Sequence, residues 1–162
     1  YPLQVLAEIF GGGATSRLNR ALVIDATVAI SAGAYYDGDA MGPGGVHVFA
    51  SPRPGVTMDA IEAAVGREIA KLTGAGVTDE EVARAKQRMR SSAIYARDSS
   101  GGGARALGAA LASGQTIEDV ESWPERIGAV TKDQINAAAR AVFRDKASVT
   151  GLLLPPTKPK GN

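Results

Sequence analysis

The first third of the chain changes from helical to strand spacing in its hydrophobic positions. Apolar residues recur at helical spacing over residues 2–10, and three consecutive glycines, which have high backbone entropy, end that predicted helix. Residues 16–22 are a second, short predicted helix. Apolar positions then alternate with period two over residues 28–36, and residues 45–51 form another strand after a loop rich in Gly and Pro. The pattern therefore predicts two helices followed by a β-hairpin.

The rest of the chain is mainly helical by the same criterion. Two capping boxes, Thr78 to Glu81 and Thr131 to Gln134, mark helix starts, because the Thr hydroxyl and the side chain three residues later bind otherwise free N–H groups. Residues 148–154 are apolar and β-branched at their start, which predicts a third strand. The predicted helices run from about residue 57 to 73, 78 to 97, 104 to 113, 116 to 121, 125 to 129 and 131 to 143.

The order of these elements predicts the fold class. Strands do not alternate with helices, so a doubly wound parallel sheet is not expected. The prediction is an α+β fold, in which helices cover one face of a mostly antiparallel sheet. Three strands make a thin sheet, so we expect a further strand upstream of this fragment. We expect one domain over residues 1–155 and a flexible tail over residues 156–162.

Composition and charge exclude several function classes. The 162 residues include 18 basic and 17 acidic side chains, so a net charge of +1 gives no electrostatic basis for binding nucleic acid. The absence of cysteine excludes disulfides, cysteine ligands and cysteine nucleophiles. No apolar run reaches about 18 residues, so no membrane span is expected in this chain. The chain opens at Tyr1 rather than Met, and we interpret it as part of a longer protein.

The only histidine, His47, cannot form a familiar catalytic site with its sequence neighbours. A catalytic zinc needs three protein ligands, of which two or three are commonly histidines. A Ser-His-Asp triad would also need this residue, and no G-x-S-x-G segment accompanies it. We interpret His47 as a structural or surface residue. The basic run of the helix that begins at Thr78 is interpreted as a solvated face; it comprises Arg84, Lys86, Arg88 and Arg90.

The glycines at positions 11–13 invite comparison with phosphate-binding loops. A dinucleotide fingerprint must follow a strand, whereas these glycines follow a helix, and Ser16 stands where the third fingerprint glycine would be. A P-loop would need Gly-Lys-Ser/Thr, which is absent. We interpret the segment as a flexible connection whose N–H groups point outward. Nucleotide binding is the alternative, and a measurable nucleotide affinity would support it.

Four segments resemble motifs of one peptidase family. Residues 3–13 read LQVLAEIFGGG and TSRL follows at 15–18, which is similar to the opening vLaeiLGGG-x-SRL of that family's second domain. GVTDEEVARAK at 76–86 resembles GVT-x-EEL-x-RAK, and IGAVTKDQI at 127–135 resembles I-x-AVT-x-EDV. LLLP at 152–155 is similar to the closing strand. The chain thus resembles the C-terminal, non-zinc-binding domain of the pitrilysin/insulinase-type zinc peptidases, which include the mitochondrial processing peptidases.

The resemblance implies an α+β domain that is duplicated within a subunit, with subunits pairing around a chamber. The zinc motif H-x-x-E-H belongs to the first domain, where two His and a downstream Glu bind zinc and the remaining Glu activates water. This chain has one histidine, so no catalytic residue, metal ligand or cofactor of its own is expected. The implied partners are the N-terminal domain of the same subunit, a homologous subunit and peptide substrates. The implied chamber-side or substrate-side loop comprises Gly11, Gly12, Gly13, Ser16 and Arg17.

One departure from the family pattern bears on function. Relatives that contact substrate through this domain read L-R-E-x-x-G-L-A-Y after the SRL helix, and the Arg and Tyr position the substrate. Here Val23 and Ile30 occupy those positions. We therefore expect the domain to come from the zinc-carrying subunit, with a non-catalytic partner subunit as the rival origin. The resemblance also favours a bacterial periplasmic or cell-envelope location, with the cytoplasm as the alternative.

Overall fold

The first helix lies at the centre of the hydrophobic core. The structure, a computed structural model, describes residues 1–38, 41–98 and 101–154. Helix α1 (Pro2–Gly11) has proline in its first turn, where an N–H has no intrahelical partner to lose. Its residues Leu6 and Phe10 are fully buried. Around it pack the sheet and later helices, and the Phe10 ring meets the Phe143 ring at a centroid distance of 5.5 Å.

The predicted hairpin is confirmed. Strands β1 (Ala29–Tyr36) and β2 (Val46–Pro52) pair antiparallel, with Tyr35 opposite His47 and Gly33 opposite Phe49. The register is irregular near the start of β1. One face of the hairpin, including Ala32 and Ala34, is buried in the core, while the other face is exposed. The predicted α+β class, with helices on one face of an antiparallel sheet, is therefore confirmed.

Several of the remaining helices begin directly after the Thr that caps them, whereas the helices predicted from residues 104 and 125 begin at residues 102 and 123 without a side-chain cap. Thr57 caps the next helix by accepting from the N–H of Ala60 at 3.2 Å. In both capping boxes the Thr hydroxyl accepts the N–H three residues later, at 3.2 Å from Glu81 and 3.3 Å from Gln134. The helices are α2 (Met58–Ala75), α3 (Asp79–Asp98), α4 (Gly102–Ala112), α5 (Ile117–Glu121), α6 (Trp123–Ala129) and α7 (Lys132–Val142), followed by a short 3-10 turn (Asp145–Ala147).

The second predicted helix, residues 16–22, is present from residue 17, but it runs on to residue 25 and is mostly of another type. The structure has a π-helix at Asn19–Asp25, and its wide turn is continued by the Ala26 N–H, which donates to the carbonyl of Ala21 at 3.0 Å. Thr27 then adopts a φ of 51°, which is uncommon outside glycine. Apolar spacing reports which side chains are buried, here Leu18 and Leu22. It does not distinguish the i→i+4 hydrogen bonds of an α-helix from the i→i+5 hydrogen bonds of a π-helix.

The predicted strand over residues 148–154 is wrong. The segment has no regular secondary structure, and its apolar side chains are exposed, with Val149 at 98% and Leu153 at 93%. Within the described ranges, β1 and β2 pair only with each other, so residues 148–154 are hydrogen-bonded to neither strand edge. A β-branched composition favours extended backbone, but a strand also needs a hydrogen-bonded neighbour. The expected flexible tail, residues 156–162, lies outside the described residues.

No helix in the described part of the chain is long and apolar enough to cross a bilayer.

The longest helix, α3, carries acidic residues throughout its first turn, at Asp79, Glu80 and Glu81. Those carboxylates lie at the positive end of the helix dipole, where negative charge is stabilising.

Candidate functional site

The loop at residues 11–13, called here the glycine loop, begins with a close contact between the backbone of α1 and the backbone of β1. Gly11 ends α1 directly against β1, and a Cβ atom added to it would lie 1.8 Å from the backbone nitrogen of Ala34. Gly33 of β1 is also crowded, because a Cβ there would lie 2.5 Å from the Phe49 ring. The loop is therefore held against the sheet. Gly11 is required because there is no room for a side chain at this position, not because the backbone has to be flexible.

The next two glycines have their N–H groups bound within the loop. Gly12 donates to the carbonyl of Glu8 at 3.1 Å, and Gly13 donates to the carbonyl of Gly11 at 3.0 Å. Gly13 has a φ of +105°, a region that glycine adopts readily. The expectation of a flexible connection with outward N–H groups is thus wrong. These donors are also not free to hold a nucleotide phosphate, so nothing here favours that alternative.

Arg17 joins this loop to the start of α3. Its Nε and Nη2 atoms donate to the two carboxylate oxygens of Glu81 at 2.7 Å each, and Nη2 also donates to the carbonyl of Gly76 at 2.8 Å. Both side chains are 19% exposed. Glu81 at the same time accepts the N–H of Thr78 at 2.8 Å. Ser16 beside it is buried. The chamber-side role of these residues stays a prediction.

The pKa of Glu81 reflects this arrangement. Burial by itself raises the pKa of the carboxyl, but hydrogen bonds from Arg17 and from Thr78 outweigh it. The pKa of Glu81 in the folded protein therefore lies below its ordinary value of 4.5.

Acid should weaken the fold partly through this carboxylate. Because the folded pKa of Glu81 is depressed, its stabilising contribution is complete above pH 4.5 and is lost as the pH falls through the folded value. We expect Glu81→Gln to lose less stability between about pH 5 and pH 2 than the wild type. Urea unfolding midpoints at several pH values in that window measure the difference. If the urea midpoints of the two proteins fell equally with decreasing pH, Glu81 would not contribute to the loss of stability in acid.

Three further arginines line a depression beside Arg17 that the sequence did not lead us to expect. We call it the arginine depression; it is lined by Ile9, Thr15, Ser16, Arg17, Arg20, Glu81, Arg84 and Arg88. The interpretation of the α3 basic run as a solvated face is wrong for Arg88, whose Nε donates to Glu8 Oε1 at 2.8 Å. Arg84 is 59% exposed, as expected. The available sequence signal was the spacing of Arg17 with Arg20 and of Arg84 with Arg88, one helical turn each.

His47 lies on the exposed face of the hairpin. Its ring stacks on Tyr35 with centroids 4.8 Å apart and planes 13° from parallel. The structure thus places His47 on the surface, as interpreted from the sequence. No cluster of three or more His, Cys, Asp or Glu in residues 1–38, 41–98 and 101–154 could hold a metal ion. The residues present therefore do not fit the zinc site of the peptidase family.

The family of the chain follows from its sequence. The family model of the Peptidase M16 inactive domain matches residues 1–89, which is more than half of the chain. The chain belongs to this family, and the resemblance to the non-zinc-binding domain of a zinc peptidase is confirmed. These comparisons do not single out the mitochondrial processing peptidases. No protein of curated function matches the chain significantly.

Solved structures share the fold over most of the chain. The inactive peptidase domain of a candidate zinc protease from Bordetella parapertussis has a TM-score of 0.83 at 21% identity, covering 98% of this chain and 85% of that one. A candidate zinc protease from Bordetella pertussis Tohama I has a TM-score of 0.81 at 22% identity, covering 95% and 84%. A protease from Helicobacter pylori has a TM-score of 0.80 at 19% identity, covering 90% of this chain. This chain spans only 35% of the length of that protease.

Proposed function

We propose that this domain forms part of the wall of a peptide-binding chamber in a zinc-dependent peptidase. The observation that carries the proposal is the match of residues 1–89 to the inactive domain of Peptidase M16. In this proposal the zinc and the H-x-x-E-H motif lie in the N-terminal domain of the same, longer subunit. The H. pylori protease supports such a subunit, since this chain covers 35% of its length.

The exposed face of the hairpin supports a role in contacts with a neighbouring domain or subunit. Ile30, Tyr35 and Phe49 are 62%, 54% and 51% exposed on the two strands. Large apolar side chains that are grouped on one surface are more often found where another protein surface covers them. The buried face of the same strands already packs on the core, so the hairpin would lie between the core and this neighbour.

The positions of the missing substrate contacts support the assignment to the zinc-carrying subunit. Val23 is half-buried in the π-helix and Ile30 is exposed on β1. Neither side chain can donate a hydrogen bond or carry a charge, so neither can position a peptide as Arg and Tyr would. A partner subunit would then supply those contacts. The second candidate, a domain of a non-catalytic assembly subunit, accounts equally well for the same two substitutions, and the presence or absence of H-x-x-E-H in the parent separates the two.

Zinc content and peptide cleavage should be measured on the full-length parent protein and on this chain. We expect zinc-dependent cleavage by the parent, with or without a homologous subunit added, and a zinc-free, inert 162-residue chain. A parent that lacks H-x-x-E-H, holds no zinc and is inert until a zinc-carrying homologous subunit is added would favour the assembly subunit. Stoichiometric zinc in this chain, or cleavage by it alone, would overturn the proposal.

The location of the protein is a separate proposal. We propose the bacterial periplasm or cell envelope, supported by the family resemblance and by the bacterial sources of the similar structures. Fractionation of the source cells, followed by immunodetection of the full-length protein, tests it. Recovery with a cytoplasmic marker would contradict it.

A further inference from the structure

The arginine depression brings together four arginines from two separate segments of the chain, and each of them also has a carboxylate partner. Arg17 and Arg20 come from the segment after the glycine loop, and Arg84 and Arg88 come from α3. The lining holds four guanidinium groups and one carboxylate, that of Glu81. The chain as a whole carries a net charge of only +1, so this grouping is not a consequence of a generally basic surface.

The four arginines fall into two classes by how firmly they are held. Arg17 is fixed by Glu81, and Arg88 by Glu8 at 2.8 Å. Arg20 and Arg84, by contrast, are 76% and 59% exposed, and their acidic partners are exposed as well. The Arg20 partner, Asp25, is 3.8 Å away, and the Arg84 partner, Glu80, is 3.1 Å away. Exposed pairs of this kind are weak, so both guanidinium groups can turn towards an anion at little cost.

Hydroxyl groups complete the lining. Thr15 and Ser16 border the depression, and Ser16 is 1% exposed. The Ser16 Oγ atom accepts from the N–H of Asn19 at 3.4 Å, a long contact. A hydroxyl can donate to an anionic oxygen, while a guanidinium group presents paired N–H donors that match two oxygens of one phosphate or carboxylate.

We propose that the arginine depression is an oxyanion-binding site, in which Arg20 and Arg84 clasp a phosphate or carboxylate group above the fixed Arg17–Glu81 pair. Glu81 keeps the site from being saturated with positive charge and orients Arg17. The ligand could be a free phosphate compound or an acidic side chain of a peptide, since both present the same pair of oxygens. The inference is independent of the proposed peptidase role, because this chain alone should bind the anion.

The test is an NMR titration of the 15N-labelled chain with sodium pyrophosphate at constant ionic strength, following the arginine Nε–Hε signals. A peptide of six glutamates, with a six-glutamine peptide as its control, is titrated in parallel. We expect saturable shifts with at least one anion, weakened about tenfold or more in Arg20→Gln/Arg84→Gln. The matched control is Arg67→Gln/Arg140→Gln. It changes the net charge equally at exposed arginines that do not line the depression.

Each outcome decides the matter. Loss of binding in the first double variant only supports the site, and the anion that saturates identifies a phosphate or a carboxylate ligand. Equal weakening in both double variants would show general charge attraction and overturn the proposal. Unchanged affinity in Arg20→Gln/Arg84→Gln, or no saturation by pyrophosphate or by the glutamate peptide, would overturn it as well. Circular dichroism of each variant confirms that the fold is intact.

Discussion

Gly11→Ala should destabilise the domain by about 3 kcal/mol or more. The added Cβ would lie 1.8 Å from the Ala34 backbone nitrogen and 2.5 Å from the Gly33 carbonyl carbon. Both are backbone atoms of a paired strand, so no side-chain rotation relieves the overlap. Helix α1 or β1 must move, and each carries core residues with it. Urea unfolding followed by circular dichroism measures the loss.

The matched control is the same substitution at Gly66 in the middle of α2. A Cβ there meets nothing within 4 Å, so the change removes only the entropic cost of a helical glycine. We expect Gly66→Ala to stabilise the domain by about 0.5–1 kcal/mol. The two alanine variants should therefore move the unfolding midpoint in opposite directions. A Gly11→Ala protein as stable as the wild type would show that the helix end does not lie against β1.

Arg17→Met should cost about 2–3 kcal/mol of unfolding free energy. The methionine keeps much of the aliphatic length but removes two charge-assisted hydrogen bonds to Glu81 and one to the Gly76 carbonyl. It also leaves the mostly buried carboxylate of Glu81 without its counter-charge. The free-energy cost of that unpaired charge is larger than the net stabilisation that the ion pair provides. Urea unfolding at pH 7 measures it.

The control for this prediction is Arg84→Met, which breaks an exposed i,i+4 pair with Glu80. We expect it to cost no more than about 0.5 kcal/mol. A double-mutant cycle of Arg17→Met with Glu81→Gln isolates the coupling between the two side chains. If Arg17→Met cost no more than Arg84→Met, the pair would not be what holds the glycine loop to α3.

Local features of this fold could be predicted, because their causes lie within a few residues. Each capping box is formed by residues three positions apart, Thr78 with Glu81 and Thr131 with Gln134, so the sequence shows both partners at once. The hairpin strands were likewise placed to within a residue or two from their alternation.

The missed features depend on distant residues. Arg17 and Glu81 are 64 positions apart, and their pairing is set by how α3 packs on α1. The three glycines predicted the end of α1, but not that β1 lies against it. Residues 148–154 have strand composition, yet whether they form a strand depends on a neighbour that composition does not reveal. The candidate site was therefore predicted as a loop that includes Arg17, while the other arginines of its lining, Arg20, Arg84 and Arg88, were not predicted.

The position of α1 at the centre of the core has a consequence for how the chain folds. Its side chains meet residues near the other end, as in the 2.8 Å hydrogen bond from Trp123 Nε1 to Gln4 Oε1, which spans 119 positions. Contacts over such distances form only after a long loop has closed, which slows folding. During synthesis α1 must therefore wait, with its apolar face exposed, until α7 has left the ribosome. In that interval the exposed apolar face of α1 is a binding site for chaperones.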